Sequence, residues 1–203
     1  MGIIDRKQRE KKEMRERILE SARKIFLEKG YENTTIRNIA IDIEYSTGVI
    51  YLHFKDKGEV FHELLKEGFR LLEKQLQFLE NIEEPFDRLK ESGRTFINFA
   101  KNNKEYYKLM FLTDESSPNP LPQKDFQIVK DTTEKLLALV IECQKSGRFK
   151  DMNAEYFLFM FLASIHGICT VFYKVQTPNF INKSDLELTT HGYEHLVLLL
   201  EKS

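Results

Sequence analysis

Apolar residues recur at helical spacing from the start of the chain. Met14, Ile18 and Ala22 follow one another at four residues, with Ile25 and Phe26 three and four beyond Ala22, one stripe that predicts a helix over 6–29. Gly30 follows where a helix ends on a left-handed C-cap residue. Thr34 and Thr35 offer an N-cap before Ile36, Ile39, Ala40 and Ile43, a short amphipathic helix of two turns. After a break at Glu44 and Tyr45, Ser46 caps a second short helix over 47–53, with Val49 and Ile50 facing inward. A longer helix over 57–80 carries Val60, Leu64, Leu65, Leu71, Leu72 and Leu76. Five more helices complete the pattern. One opens at Pro85 and uses Phe86, Leu89, Phe96, Ile97 and Ala100, and a short one covers 105–112. A loop over 114–123, with Pro118, Pro120 and Pro122, precedes a helix over 124–145 that Gly147 stops. An uncharged helix over 154–174 and a last one over 184–201 are separated by Pro178. Glycine (9) and proline (5) are sparse and no long stretch alternates apolar with polar, so the expected fold class is all-α, with about nine helices.

Two short helices joined by a tight turn and packed on a longer one make a helix-turn-helix. In such a unit the first short helix crosses the phosphate backbone and the second presents its N-terminal residues to base edges in the major groove. A helix this short is not stable alone, so Ile39, Ala40, Val49, Ile50 and Phe54 must lock it in place. Helix pairs of this kind also occur in cores that never meet DNA, and the pattern leaves both readings open. The net charge of −1 conceals an asymmetry: residues 1–57 hold 13 Lys and Arg against 10 Asp and Glu, the remainder 18 against 22. That is a modest polyanion signal at one end.

The residues sharpen the choice. Arg17, Phe26, Gly30 and Tyr31, then the run Thr34-Thr35-Ile36-Arg37-Asn38-Ile39-Ala40, then Ser46-Thr47-Gly48-Val49-Ile50-Tyr51-Leu52-His53-Phe54-Lys55-Asp56-Lys57, closely resemble the DNA-binding domain of the TetR (tetracycline repressor) family over residues 14–65. Beyond residue 70 only helix order and length are similar. The resemblance implies a helix-turn-helix DNA-binding domain over 1–60, with the motif at 34–53, and a helical ligand-binding and dimerisation domain over 61–203. It implies roles by position. Thr35 meets a phosphate, and Arg37 reaches a base, for which arginine suits guanine. Ser46, Thr47 and Gly48 open the recognition helix, Gly48 allowing close backbone approach and Thr47 touching a base edge or a thymine methyl. Tyr51, His53 and Lys57 hold phosphates. Plainer readings stand beside these: Tyr51 a packing aromatic, Arg37 a solvated charge, His53 an exposed histidine.

Two positions depart from the family pattern. Ile43-Glu44 replaces an Ala-Gly pair in the turn, which would place Glu44 in the left-handed region at a cost of about 1 kcal/mol. Gly58 replaces an acidic residue in the first turn of the fourth helix. The basic leader, Arg6, Lys7, Arg9, Lys11 and Lys12, is interleaved with Glu10 and Glu13, which favours a salt-bridged first helix over added DNA contacts.

A single major-groove helix reads few base pairs, so a homodimer spanning two half-sites is expected. The family builds its dimer interface from the last two long helices; here Ala163, Gly167, Leu196, Leu199 and Leu200 are the candidates. The family's regulatory domain encloses a cavity, and Phe96, Phe99, Tyr107, Met110, Phe111, Phe126, Phe161 and His166 are candidate ligand residues, with Met160 as further adaptable surface. An aromatic stripe at helical spacing is more often plain core. The implied partners are double-stranded operator DNA, a second copy of the chain and a hydrophobic small-molecule effector that relieves repression.

Other classes have little support. The sequence has no HExxH, GxSxG, P-loop or dinucleotide fingerprint, so no enzyme and no cofactor is expected. His191 and His195 are spaced i, i+4 but lack a third ligand, and no metal site is expected. The chain is charged from Asp5 onward without an apolar leader, and Cys143 and Cys169 have no paired spacing; a cytoplasmic protein is expected. Residues 156–173 carry no charge over about 27 Å of helix, but Ser164, His166, Gly167 and Thr170 near the middle favour a core or dimer helix over a membrane span. A helical interaction module, or an activator without small-molecule control, is the alternative.

Overall fold

The structure, a computed structural model, describes residues 3–112, 127–171, 173 and 182–202. The described residues form nine α-helices and contain no strand: α1 (Ile3–Asn33), α2 (Ile36–Asp42), α3 (Thr47–Tyr51), α4 (Lys57–Leu76), α5 (Pro85–Asn102), α6 (Lys104–Phe111), α7 (Gln127–Lys145), α8 (Ala154–Val171) and α9 (Asp185–Glu201). A 3₁₀ turn over Gln77–Asn81 ends α4 earlier than the expected limit at 80. The proline-containing stretch 114–123, Phe126 and Pro178 lie outside the described residues. The chain divides into two compact units, one of residues up to 70 together with 105 onward, the other of 71–104 and 127 onward; α4 passes through the division.

In the first unit, α1 begins at Ile3 and continues past the expected stop. Gly30 sits at φ 75°, ψ 170°, and makes a kink rather than an end, after which the helix regains one turn to Asn33. Thr34 explains this: fully buried, its hydroxyl donates to the Gly30 carbonyl at 2.7 Å, tying the kinked turn to the next segment. Thr35, not Thr34, is therefore the cap of α2, through a box in which its Oγ1 accepts from the Asn38 amide and the Asn38 Oδ1 accepts from the Thr35 amide, each at 3.1 Å. Ile18, Ala22, Ile25 and Phe26 of α1 are buried with Ile39 and Ala40 of α2, Ile50 of α3 and Phe54. Val60, Phe61, Leu64 and Leu65 of α4 are buried in the same unit. Phe26, Tyr31 and Phe61 form an aromatic trio with centroids 5.1–5.7 Å apart. Each fully buried phenylalanine contributes about 1.5–3 kcal/mol, which holds α1 and α4 together behind the two short helices.

In the second unit, α5 is capped by Glu84, whose carboxylate accepts from the Asp87 amide, with Pro85 at the first helical position. α7 ends at Gly147, φ 102°, with the Gly147 amide donating to Gln144 and the Arg148 amide to Cys143, a left-handed terminus of the Schellman type. α5 packs on α7 and α8, and α8 on α9. A ladder of rings runs Phe86, Phe149, Phe157, Phe161. Tyr193 of α9 is fully buried and donates to the Lys90 carbonyl at 2.5 Å; a β-carbon at Gly93 would overlap its ring, so α9 approaches α5 this closely because residue 93 is glycine.

α8 is long and apolar enough to cross a membrane by composition, with 28% of it buried within the chain. Its faces differ. Phe157, Leu158, Phe161, Ile165 and Cys169 point into the unit, whereas Tyr156, Phe159, Met160, Ala163 and Gly167 are exposed.

Candidate nucleic-acid interface

The turn between α2 and α3 is built on a left-handed glutamate. Glu44 has φ 61°, the Glu44 amide donates to the Ile41 carbonyl at 3.1 Å and the Tyr45 amide to the Ala40 carbonyl at 2.9 Å. This is the Schellman pattern, completed here without glycine. Arg17 of α1 closes the turn from behind: its Nη2 donates to the Ile43 carbonyl and its guanidinium stacks over the Tyr45 ring. Arg15 fixes the far end of α3, donating to the His53 carbonyl at 3.1 Å, lying 4.3 Å from the Phe54 centroid and pairing with Glu63 of α4 at 2.8 Å. The two short helices are thus held at both ends by arginines from α1.

On this scaffold Thr35, Arg37, Ser46, Thr47, Gly48 and Tyr51 are exposed and His53 and Lys57 half-buried, so none of the eight sequence-designated DNA residues is consumed by the core. Their individual settings differ. Arg37 forms no ion pair among the described residues. Tyr51 is 57% exposed, which excludes a packing role within this unit. Thr35 Oγ1 is engaged in the α2 cap. Lys57 Nζ donates to the carbonyls of Tyr31 and Glu32 at 3.0 and 3.2 Å and lies over the Tyr31 ring. An ammonium has three donors, so one remains for a phosphate. His53 Nδ1 is buried without a hydrogen-bond partner, and burial, with Lys11 and Arg15 nearby, holds its pKa below the ordinary value.

Gly58, unexpected from the sequence, has a local reason. A β-carbon there would press on Asp56 Oδ1 at 3.1 Å, the atom that accepts from the Glu59 amide to cap α4. The basic leader is salt-bridged along α1 by Arg6–Glu10, Arg9–Glu13 and Lys12–Glu16.

The other designated residues fall in different places. Phe99 and Phe161 are buried in the second unit, where half-buried Phe96 stacks edge-on with His166, centroids 4.8 Å apart. Tyr107 and Met110 are buried in the first unit, with Phe111 against Tyr107 and Phe69. Met160 is 67% exposed and belongs to the outer face of α8. Ala163, Gly167 and Leu199 are exposed and Leu196 and Leu200 half-buried. The sequence reading missed Tyr156, Phe159 and Leu198 on the same outer faces, because in a helix that is apolar all round no polar contrast marks which side is covered. His191 and His195 are exposed, and His195 Nδ1 is bonded to the His191 carbonyl at 2.8 Å; among the described residues no three His, Cys, Asp or Glu side chains cluster as metal ligands. A concavity of about 360 Å³ in the second unit is floored by Leu76, Leu79, Leu136 and Leu139.

Residues 18–64 match the family model for bacterial regulatory proteins of the tetR family. The HTH-type transcriptional regulator HbdR of Aromatoleum sp. (strain CIB) is 37% identical over 78 residues, 38% of this chain; the chain spans only 34% of that relative. The HTH-type transcriptional repressor KstR2 of Mycolicibacterium smegmatis is 24% identical over 191 residues, 92% of this chain and 88% of that one. Among solved structures, the transcriptional regulator FadR from Bacillus subtilis in complex with stearoyl-CoA superposes with a TM-score of 0.71 at 21% identity, covering 89% of this chain and 96% of that chain. The TetR family transcriptional regulator PfmR from Thermus thermophilus gives 0.70 at 20% identity, covering 89% of this chain and 96% of that chain.

Proposed function

The chain belongs to the TetR family of transcriptional regulators, and from that premise we propose that it is a homodimeric, cytoplasmic repressor that releases operator DNA when it binds a hydrophobic small molecule. One observation carries the DNA half of the proposal: Thr35, Arg37, Ser46, Thr47, Gly48 and Tyr51 stand exposed on two short helices and their caps, whose opposite sides bury Ile36, Ile39, Ala40 and Ile50. Arg37 reaches base or phosphate, Tyr51 bonds a phosphate, Thr35, its hydroxyl committed to the α2 cap, stands at the end of α2 that faces the backbone, and Thr47 and Gly48 enter the major groove.

Dimerisation is supported by the outer face of α8, where Tyr156, Phe159, Met160, Ala163 and Gly167 follow a heptad-like spacing, together with Leu198 and Leu199 of α9. Outside the helix's own backbone and the two neighbouring residues, no atom of the described residues lies within 4 Å of where a β-carbon at Gly167 would stand, which leaves room for a partner helix.

The effector is proposed to be largely apolar, held by Phe96, Phe99, Phe161 and His166 of the second unit. The fatty-acyl class is supported by the stearoyl-CoA complex of the B. subtilis FadR neighbour. Because α4 begins at Lys57 and is shared by both units, a ligand that displaces it alters the spacing of the two recognition helices. A coupling free energy of about 1–3 kcal/mol suffices for a five- to 150-fold change in operator affinity.

The test is a mobility shift with DNA upstream of the chain's own gene, without ligand and with stearoyl-CoA or a free fatty acid. Retarded DNA released by ligand supports the proposal. Unchanged affinity with every ligand that raises the melting temperature removes the effector half, and the absence of any retarded species removes the repressor.

A further inference from the structure

The exposed surface of α3 has an unusual chemistry for a helix that reads DNA. Residues 46–52 read Ser-Thr-Gly-Val-Ile-Tyr-Leu and contain no arginine, lysine, asparagine, glutamine, aspartate or glutamate. Those are the side chains that discriminate guanine, adenine and cytosine by hydrogen bonds in the major groove. Ile50 is buried and Val49 half-buried, so the helix presents mainly hydroxyls, the Tyr51 ring, a bare glycine backbone and one large aliphatic group. That group is Leu52, the C-cap of α3, 77% exposed, more than any other large hydrophobic side chain among the described residues. Its backbone amide is fixed by the carbonyls of Gly48 and Val49 at 3.3 and 3.2 Å, so its main chain is part of the helix and its side chain departs one turn from Gly48.

An isolated exposed leucine needs no explanation on an ordinary surface. This one adjoins Tyr51 and shares the helix face of Gly48, within the surface assigned above to the major groove. The one base feature there that an aliphatic group recognises is the 5-methyl of thymine. We infer that Leu52 is a specificity-determining residue that packs on a thymine methyl in each operator half-site, making α3 a reader of thymine by apolar contact while Arg37 on α2 supplies the charged contact. This rests on the DNA-binding reading above.

The test uses the full chain and a random duplex library. After selection of the preferred operator, each thymine in a half-site is replaced singly by deoxyuridine, which deletes only the methyl group. Affinity is then measured by fluorescence anisotropy at one fixed salt concentration. At one or two thymines per half-site, deoxyuridine should weaken binding about fourfold, the worth of one methyl-sized group left in water, and roughly 15-fold when both half-sites are changed. In Leu52→Ala the same substitutions should change affinity less than twofold, because the partner of the methyl is gone. Leu52 lies on the surface, so the variant should melt with the wild type. Selected operators that bind tightly yet tolerate deoxyuridine everywhere, or lose the same factor in Leu52→Ala, would overturn the assignment and leave the DNA-binding reading standing. A library that yields no enriched sequence would overturn both.

Discussion

Arg17 and the carbonyl of Ile43 are joined across 26 residues by a 3.0 Å hydrogen bond, and through it the first helix determines where the turn of the reading head stops. The Ile43 carbonyl lies at the end of α2, where helix acceptors are left without amides, and a guanidinium is a strong donor for such a group. Arg17→Met keeps the aliphatic stem but removes the donor and the stacking on Tyr45. It should cost about 1 kcal/mol and lower the melting temperature by about 2–4 °C. A thermal melt followed by circular dichroism checks this; equal melting temperatures would show that Ile43 is satisfied by water alone.

Glu44 offers the opposite sign. At φ 61° a side chain costs about 1 kcal/mol that glycine avoids. Glu44→Gly should therefore raise the melting temperature by about 2–4 °C. The same change removes an anion from an exposed turn beside α3, so operator affinity should rise as well, with the gain shrinking at high salt. Glu44→Ala separates the two effects: it removes the charge but keeps the strained backbone, and should gain affinity without gaining stability.

These two residues also mark how far the sequence can be read. The left-handed glutamate is visible because a family pattern places glycine there, and the buried stripe Ile18, Ala22, Ile25, Phe26 is visible because polar residues alternate with it at helical period. Gly30 reads as an end in the sequence but is a kink in the structure, because nothing local shows that Thr34 is buried and holds the next turn to it. Lys57 can be matched to a phosphate-binding position, but its bonds to Tyr31 and Glu32 depend on chain segments 26 and 25 residues away. The pairing of Gly93 with Tyr193 is more distant still, and glycine carries no local signal of what approaches it.

Two histidines give the fold a pH dependence of predictable sign. Burial lowers the pKa of both His53 and His166 below the ordinary 6.5, with Lys11 and Arg15 adding to the effect at His53. Between 6.5 and the lower folded value the unfolded chain binds more protons than the folded one, so stability increases with pH across that window. It is fully present above 6.5 and is lost as the pH falls through and below it. Urea unfolding midpoints at about pH 7.5 and about pH 5.5 should show this loss in the wild type, and His166→Gln should reduce the difference. A midpoint that rises on acidification would contradict the burial of these rings as neutral groups.

The outer face of α8 gives the most direct prediction about assembly. Phe159 is 72% exposed in the single chain, so a glutamate there meets water and leaves the fold intact. In a dimer built on this face the same carboxylate would be buried against Tyr156, Met160 and their counterparts, without a cation, because α8 carries no Lys or Arg. An unpaired buried charge costs several kcal/mol, and two-fold symmetry places it in the interface twice. Phe159→Glu should therefore elute at the 24.1 kDa of one chain by light scattering, with an unchanged helical spectrum, whereas the wild type should elute at about twice that mass. Operator binding should weaken steeply in parallel, since one reading head spans only one half-site. A Phe159→Glu protein that remains dimeric would place the interface elsewhere, and a wild type that is monomeric at tens of micromolar would remove the two-half-site geometry on which the proposed repression depends.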